Sequence, residues 1–127
     1  MKIVGIGLDL VKITRIRSLM ERWQDRFLQR LYTEEERRYC LKRASPYASL
    51  AGRFAAKEAV LKALGTGWTD GIRWVAIQVL NDKNGKPVAT VTGRAETLLR
   101  EAGVTGILVS LSHDADYAIA EAVLTRE

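Results

Sequence analysis

One cysteine, one histidine and two prolines stand among 127 residues, and each scarcity removes a class of protein. A lone Cys40 closes no intramolecular disulfide and builds no cysteine-cluster metal site. A lone His113 cannot make a two-histidine zinc site. No run approaches the roughly 20 apolar residues of a membrane-spanning helix. Low-complexity stretches, internal repeats and linkers are also missing. With 47% hydrophobic and 28% charged residues, the composition is that of a chain able to bury one core. The opening Met-Lys-Ile-Val-Gly-Ile-Gly-Leu-Asp reaches an acid too soon for a signal peptide. One domain over residues 1–127, soluble and cytoplasmic, is expected.

Charge of one sign is scarce only in the second half. Residues 1–67 carry fourteen basic and seven acidic side chains, and residues 68–127 carry six and eight. The net charge of +5 is therefore concentrated at one end of the chain. A basic surface of this kind attracts an anionic partner: nucleic acid, an anionic membrane, a polyphosphate ligand or an acidic protein. Charge alone does not choose among them.

Periodicity supplies the elements. Residues 2–8 read as an apolar strand thinned on one face by Gly5 and Gly7, with Asp9 at its end. Thr14 is the expected N-cap of a helix to about Trp23, in which Ile16, Leu19, Met20 and Trp23 fall at helical spacing. Arg15, Arg22 and Arg26 form a basic stripe beside them if that helix continues. Thr33-Glu34-Glu35-Glu36 is a capping box opening a helix through about Lys42. A longer helix is predicted over 46–64, with Pro46 in its first turn and Gly65 at its C-terminal cap. Strands follow at 72–80 and 88–92 around the tight-turn signal Asn84-Gly85. A helix at 94–102 ends at Gly103, and a second hairpin pairs 107–112 with 117–124. The pattern is α+β, a mostly antiparallel sheet packed on a long helix.

Several residues have more than one use. Leu50, Phe54, Glu58 and Leu61 share a helical face, so Glu58 interrupts an apolar stripe. It is either an anion that needs a cation or metal, or half of a Glu–Lys surface pair with Lys62 one turn on. Asp9 is a turn or cap residue, or a ligand for a hard cation such as magnesium. Gly65-Thr66-Gly67 reads first as a helix stop and lacks the P-loop pattern. Asn84-Gly85-Lys86-Pro87 is first a hairpin turn, and His113 first a polar turn residue. No nucleophile elbow surrounds Ser110 or Ser112, which argues against a hydrolase triad.

Together these stretches resemble the holo-[acyl-carrier-protein] synthase family. Gly5-Ile6-Gly7-Leu8-Asp9-Leu10-Val11 is similar to its N-terminal motif. Residues 53–67, Arg-Phe-Ala-Ala-Lys-Glu-Ala-Val-Leu-Lys-Ala-Leu-Gly-Thr-Gly, are similar to its longer and more specific motif. The Asn-Gly-Lys-Pro turn and the Ser-Leu-Ser-His segment follow in the expected order.

The resemblance implies a 4′-phosphopantetheinyl transferase-like fold and transfer of 4′-phosphopantetheine from coenzyme A to a serine of apo acyl carrier protein. Adenosine 3′,5′-bisphosphate leaves. Asp9 and Glu58 would bind magnesium at the pyrophosphate, and Glu58 and Lys62 would be the catalytic pair. Glu58, or a water on the metal, takes the serine proton; Lys62 neutralises or protonates the leaving phosphate. Arg53, Lys62, Gly65, Thr66, Asn84, Gly85, Lys86, Pro87 and His113 become coenzyme A contacts. Asp114, next to His113, then has to turn away from the phosphates. Arg15, Arg22, Arg26 and Phe27 become the docking surface for the acidic carrier. The family also implies a homotrimer with active sites between subunits, and a single unrepeated unit favours the fatty-acid type over carriers of polyketide or peptide synthesis. Neither a membrane nor nucleic acid is an expected partner: a nucleic-acid module has no need of Glu58 in its apolar stripe.

Overall fold

A computed structural model of the chain describes residues 1–68 and 71–127. Its elements run β1 (Lys2–Lys12), α1 (Ile13–Trp23), α2 (Asp25–Leu31), α3 (Glu34–Leu41), α4 (Pro46–Leu64), a 3₁₀ turn (Trp74–Ala76), β2 (Ile77–Asn81), β3 (Pro87–Val91), α5 (Gly93–Glu101), β4 (Gly106–His113) and β5 (Tyr117–Arg126). All described pairings are antiparallel: one sheet has the order β1-β5-β4, and β2 pairs with β3 in a second. The α+β expectation, with antiparallel strands packed on a long helix, is met. Among the described residues no helix is long and apolar enough to cross a membrane.

The core forms around α4. Its residues from Ala48 to Leu61 are buried on almost every side, Glu58 being half-buried, so this helix runs through the middle of the fold rather than along its surface. Glycine sets how close β1 can come. A methyl group on Gly7 would collide with the Ala59 carbonyl oxygen, and one on Gly5 with that of Ala63. The two glycines therefore let strand backbone lie directly on helix backbone. By strand alternation Asp9 shares their face and is delivered to the C-terminal half of α4.

A buried ion pair ties the other side of α4 to the neighbouring elements. Lys57 Nζ donates to Glu36 Oε1 at 2.7 Å, to the Leu31 carbonyl at 2.6 Å and to the Trp74 carbonyl at 3.2 Å. Glu36 Oε2 accepts from the Val79 N–H at 2.8 Å. Both side chains are fully buried, so each charge depends on the other for compensation. Glu36 also completes the capping box with Thr33.

Several expectations shift. β1 does not stop near Asp9 but continues to Lys12, because β5 pairs with it as far as Tyr117. Thr14 is not a cap: α1 starts at Ile13, whose N–H is taken by the Asp116 carbonyl. The first helix breaks at Gln24, which adopts φ 50°, and α2 begins immediately after it. Arg15, Arg22 and Arg26 therefore lie on two helices, not one stripe. The strand expected from residue 72 begins only at Ile77. Before it the Trp74 carbonyl is engaged by Lys57 and the Trp74 ring stacks on Phe54, which holds the backbone away from the ladder.

The face of the three-stranded sheet turned away from α4 is apolar and open. Ile6, Leu8 and Leu10 of β1 and Leu108 of β4 are all at least half exposed.

Candidate active site

Asp9 and Lys62 meet where β1 crosses α4. Lys62 Nζ donates to Asp9 Oδ1 and to the Leu8 carbonyl, both at 3.0 Å. The Asp9 side chain is only 15% exposed, whereas that of Lys62 is 53% exposed. Lys62 thus reaches across to the strand, and the surface Glu58–Lys62 pair read as one alternative from the sequence is not the pairing found. Glu58, one turn back on α4, accepts at Oε1 from the Trp68 indole N–H at 3.0 Å.

Trp68 is held in place by its own stacking. Its ring lies 3.7 Å, centroid to centroid, from Trp74, which stacks at 5.0 Å on Phe54. The chain returns to α4 through Gly65 and Gly67, both at positive φ (87° and 64°). Gly65 closes the helix, its N–H bonding the Leu61 carbonyl at 2.8 Å. Thr66 follows beside it, its hydroxyl bonding the Gly67 carbonyl at 3.3 Å.

Asp9, paired with Lys62, and Glu58, one helical turn from Lys62, are two carboxylates supplying hard oxygens in this region. Among the described residues no group of three or more His, Cys, Asp or Glu side chains gathers. A pair of this kind suits a cation such as magnesium, which takes one or two protein carboxylates and keeps several waters for phosphate oxygens.

A second cluster surrounds Arg53, which is 5% exposed. Its guanidinium donates to Asn81 Oδ1 and, at 3.4 Å, to Ser49 Oγ. It lies over the Tyr39 ring at 4.6 Å, and Arg43 approaches the same ring at 5.1 Å. Arg53 Nε is buried with no hydrogen-bond partner. A cavity of about 320 Å³ opens here, lined by Tyr39, Arg43, Ser49, Arg53, Asn81 and His113 among others. Two guanidiniums on its walls give it the charge and the donors to attract an anion.

Asn81 links this cluster to the hairpin turn. Its Nδ2 donates to the Gly85 carbonyl at 2.8 Å. Asp82 Oδ1 accepts from the N–H groups of Asn84 at 2.8 Å and Lys86 at 3.0 Å, and Gly85 takes φ 85°. Asn84, Gly85, Lys86 and Pro87 are thus one ordered turn attached to Arg53 through a single amide. Asp114 does not line this cavity, and its carboxylate is engaged within its own turn. Its Oδ1 accepts from the N–H groups of Asp116 and Tyr117 at 2.8 and 2.7 Å, bonds that hold its carboxyl below the usual range.

The expected site residues therefore fall into two groups within one chain. Asp9, Glu58, Lys62, Gly65 and Thr66 surround the C-terminal half of α4. Arg53 and His113 line the cavity, to which the 84–87 turn is tied through Asn81. Arg53 and Glu58 are five residues apart on one helix and point about 140° apart around its axis.

The basic patch stands on α1 and α2. Arg22 and Arg26 flank the Trp23 ring at 5.1 and 5.9 Å, so the break at Gln24 keeps them together. Arg15 instead lies over Phe54 at 5.5 Å. Phe27 is buried, edge-on to Tyr32 at 5.7 Å, and the exposed aromatic here is Trp23. Trp23, Arg26 and Phe27 line one groove with Leu19, Arg30 and Leu31.

Sequence reasoning missed Tyr39, Arg43, Asn81 and Trp68. Asn81 and Trp68 adjoin motifs that were singled out, but spacing does not distinguish an indole or amide that bonds a site residue from one that packs or turns. Arg43 carried a signal only as one more basic residue in the first half.

Comparison with known proteins agrees across the chain. Residues 5–122 match the family described as 4′-phosphopantetheinyl transferase superfamily. A holo-[acyl-carrier-protein] synthase of Desulforudis audaxviator is 49% identical over 121 residues, covering 95% of this chain and 92% of that protein. The crystal structure of holo-[acyl-carrier-protein] synthase from Neisseria meningitidis superposes with a TM-score of 0.89 at 35% identity, covering 98% of this chain and 100% of that one. That of the Helicobacter pylori enzyme in complex with coenzyme A gives 0.83 at 31%, covering 94% and 99%.

Proposed function

The chain belongs to the 4′-phosphopantetheinyl transferase superfamily, and from that premise we propose that it is a holo-[acyl-carrier-protein] synthase. It transfers 4′-phosphopantetheine from coenzyme A to a serine hydroxyl of apo acyl carrier protein. The serine oxygen forms a bond to the β-phosphorus of coenzyme A, the pyrophosphate P–O bond breaks, and adenosine 3′,5′-bisphosphate departs. Residues 1–127 act as one transferase domain, in the cytoplasm.

The observation that carries this reading is the junction of β1 and α4, where Asp9 meets Lys62 one turn from Glu58. Asp9 and Glu58 would hold magnesium, which when bound would offset pyrophosphate charge. Glu58 accepts the serine proton. Lys62, already able to leave Asp9 for a better anion, stabilises the departing phosphate. Gly65 and Thr66 contact coenzyme A beside it.

Arg53, Asn84, Gly85, Lys86, Pro87 and His113 bind the remaining phosphates and the adenosine. Arg53 and His113 line a cavity that Asp9 and Lys62 do not, with the 84–87 turn tied to it through Asn81, and the apolar face of β1 and β4 is open. Both features support a homotrimer in which that face is covered and each site joins the Asp9 cluster of one subunit to the Arg53 cluster of its neighbour. Arg15, Arg22 and Arg26, with Phe27 in the groove beneath them, receive the acidic carrier.

Intact-mass spectrometry of apo acyl carrier protein incubated with the protein, coenzyme A and magnesium tests the reading. A gain of one phosphopantetheine group, abolished by chelation, is expected. No gain across several carriers would contradict it.

A further inference from the structure

We infer that Trp68 is a positioning residue for Glu58: its indole N–H fixes the Glu58 carboxylate for metal binding. The inference rests on the proposed role of Glu58 and adds to it a partner just beyond the 53–67 motif.

The geometry is specific. An indole N–H is a donor only, so its direction toward Glu58 Oε1 at 3.0 Å commits one carboxylate oxygen and orients the plane of both. A half-buried glutamate otherwise has three side-chain torsions to order before it can ligate. Trp68 cannot swing with it. Its ring is stacked at 3.7 Å on Trp74. Trp74 is fixed in turn by Phe54 at 5.0 Å and, through its carbonyl, by the buried Lys57 ammonium at 3.2 Å.

The orientation of Glu58 is thus referred to the core through two stacked rings. Packing alone would be served by any large apolar side chain, whereas only a donor engages the carboxylate. Partners of this kind behind metal ligands typically change metal affinity by about 10- to 100-fold when lost.

Trp68→Phe keeps a ring for Trp74 and removes the N–H, and Glu58→Ala provides the reference. Three quantities are read for each: magnesium affinity, by calorimetric titration of the protein–coenzyme A complex with magnesium chloride, the thermal midpoint, and kcat for carrier modification. We expect Trp68→Phe to weaken magnesium binding about tenfold or more, with the midpoint nearly unchanged and kcat recovered at saturating magnesium. Trp68→Phe with wild-type magnesium affinity overturns the inference, as does a lowered midpoint with no change in that affinity. Glu58→Ala that keeps magnesium-dependent transfer overturns both the inference and the reading beneath it. Glu58→Ala inactive beside a wild-type-like Trp68→Phe overturns the inference alone.

Discussion

Asp9 and Glu58 place two carboxylates within a helical turn of a single ammonium, Lys62. Removing either carboxylate leaves the fold's buried pair untouched, since Lys57 and Glu36 lie on another side of α4. Asp9→Ala and Glu58→Ala should therefore each lower magnesium-dependent carrier modification by at least about 100-fold, or about 2.7 kcal/mol, while unfolding stays cooperative. Wild-type turnover in either variant removes that residue from the mechanism.

A second residue-scale prediction concerns pH. Burial pushes the Cys40 thiol above its ordinary 9.0. The folded state then prefers the thiol more than the unfolded state does. Its contribution is complete below about pH 9 and is lost as pH rises through the folded value. The difference in Tm between wild type and Cys40→Ala should shrink above pH 9; a constant difference across that range contradicts the assignment. At this scale Glu58 on an apolar stripe and Asp9 at the end of an apolar strand stood out in the sequence, each with a bland reading beside the functional one, and the family resemblance chose between them. Tyr39, Asn81 and Trp68 did not stand out, because their roles depend on partners 14 to 28 residues away from Arg53 or 10 from Glu58 in sequence, joined only by the fold.

Among the elements, the contact of β1 with α4 decides whether the site exists. Gly7→Ala places a methyl against the Ala59 carbonyl, and relief requires strand and helix to separate. The expected cost is about 1–3 kcal/mol, seen as a lower Tm, together with a loss of activity beyond that of the folded fraction as Asp9 withdraws from Lys62. Unchanged stability and activity would mean that the close approach is dispensable. Helix ends with strong local chemistry were read correctly: the Thr33 capping box, Pro46 at the start of α4 and Gly65 at its end. Where tertiary bonds compete with local signals, the reading failed. Thr14 lost its cap because β5 carries β1 onward, and the break at Gln24 has no glycine or proline to announce it.

At the scale of the molecule, five of the fourteen basic residues of the first half, Arg15, Arg17, Arg22, Arg26 and Arg30, stand on α1 and α2, with Arg22 and Arg26 about Trp23. Arg22→Glu should weaken carrier binding at least several-fold while leaving coenzyme A affinity near wild type, and the loss should diminish with added salt. Equal loss for both ligands contradicts the docking role. Charge bias was visible in the sequence; the separation of the site into two clusters was not, since Arg53 and Glu58 share one motif and diverge only once α4 is built.

Complementation tests most directly whether those clusters work together between copies. Asp9→Ala and Arg53→Ala, each inactive alone, are co-expressed with different tags, and the mixed assembly is assayed by mass gain of the carrier. Each mixed trimer, two copies of one variant and one of the other, keeps about one site in three with both clusters intact, so activity near a third of wild type is predicted. A mixed assembly as inactive as its parents would contradict the account.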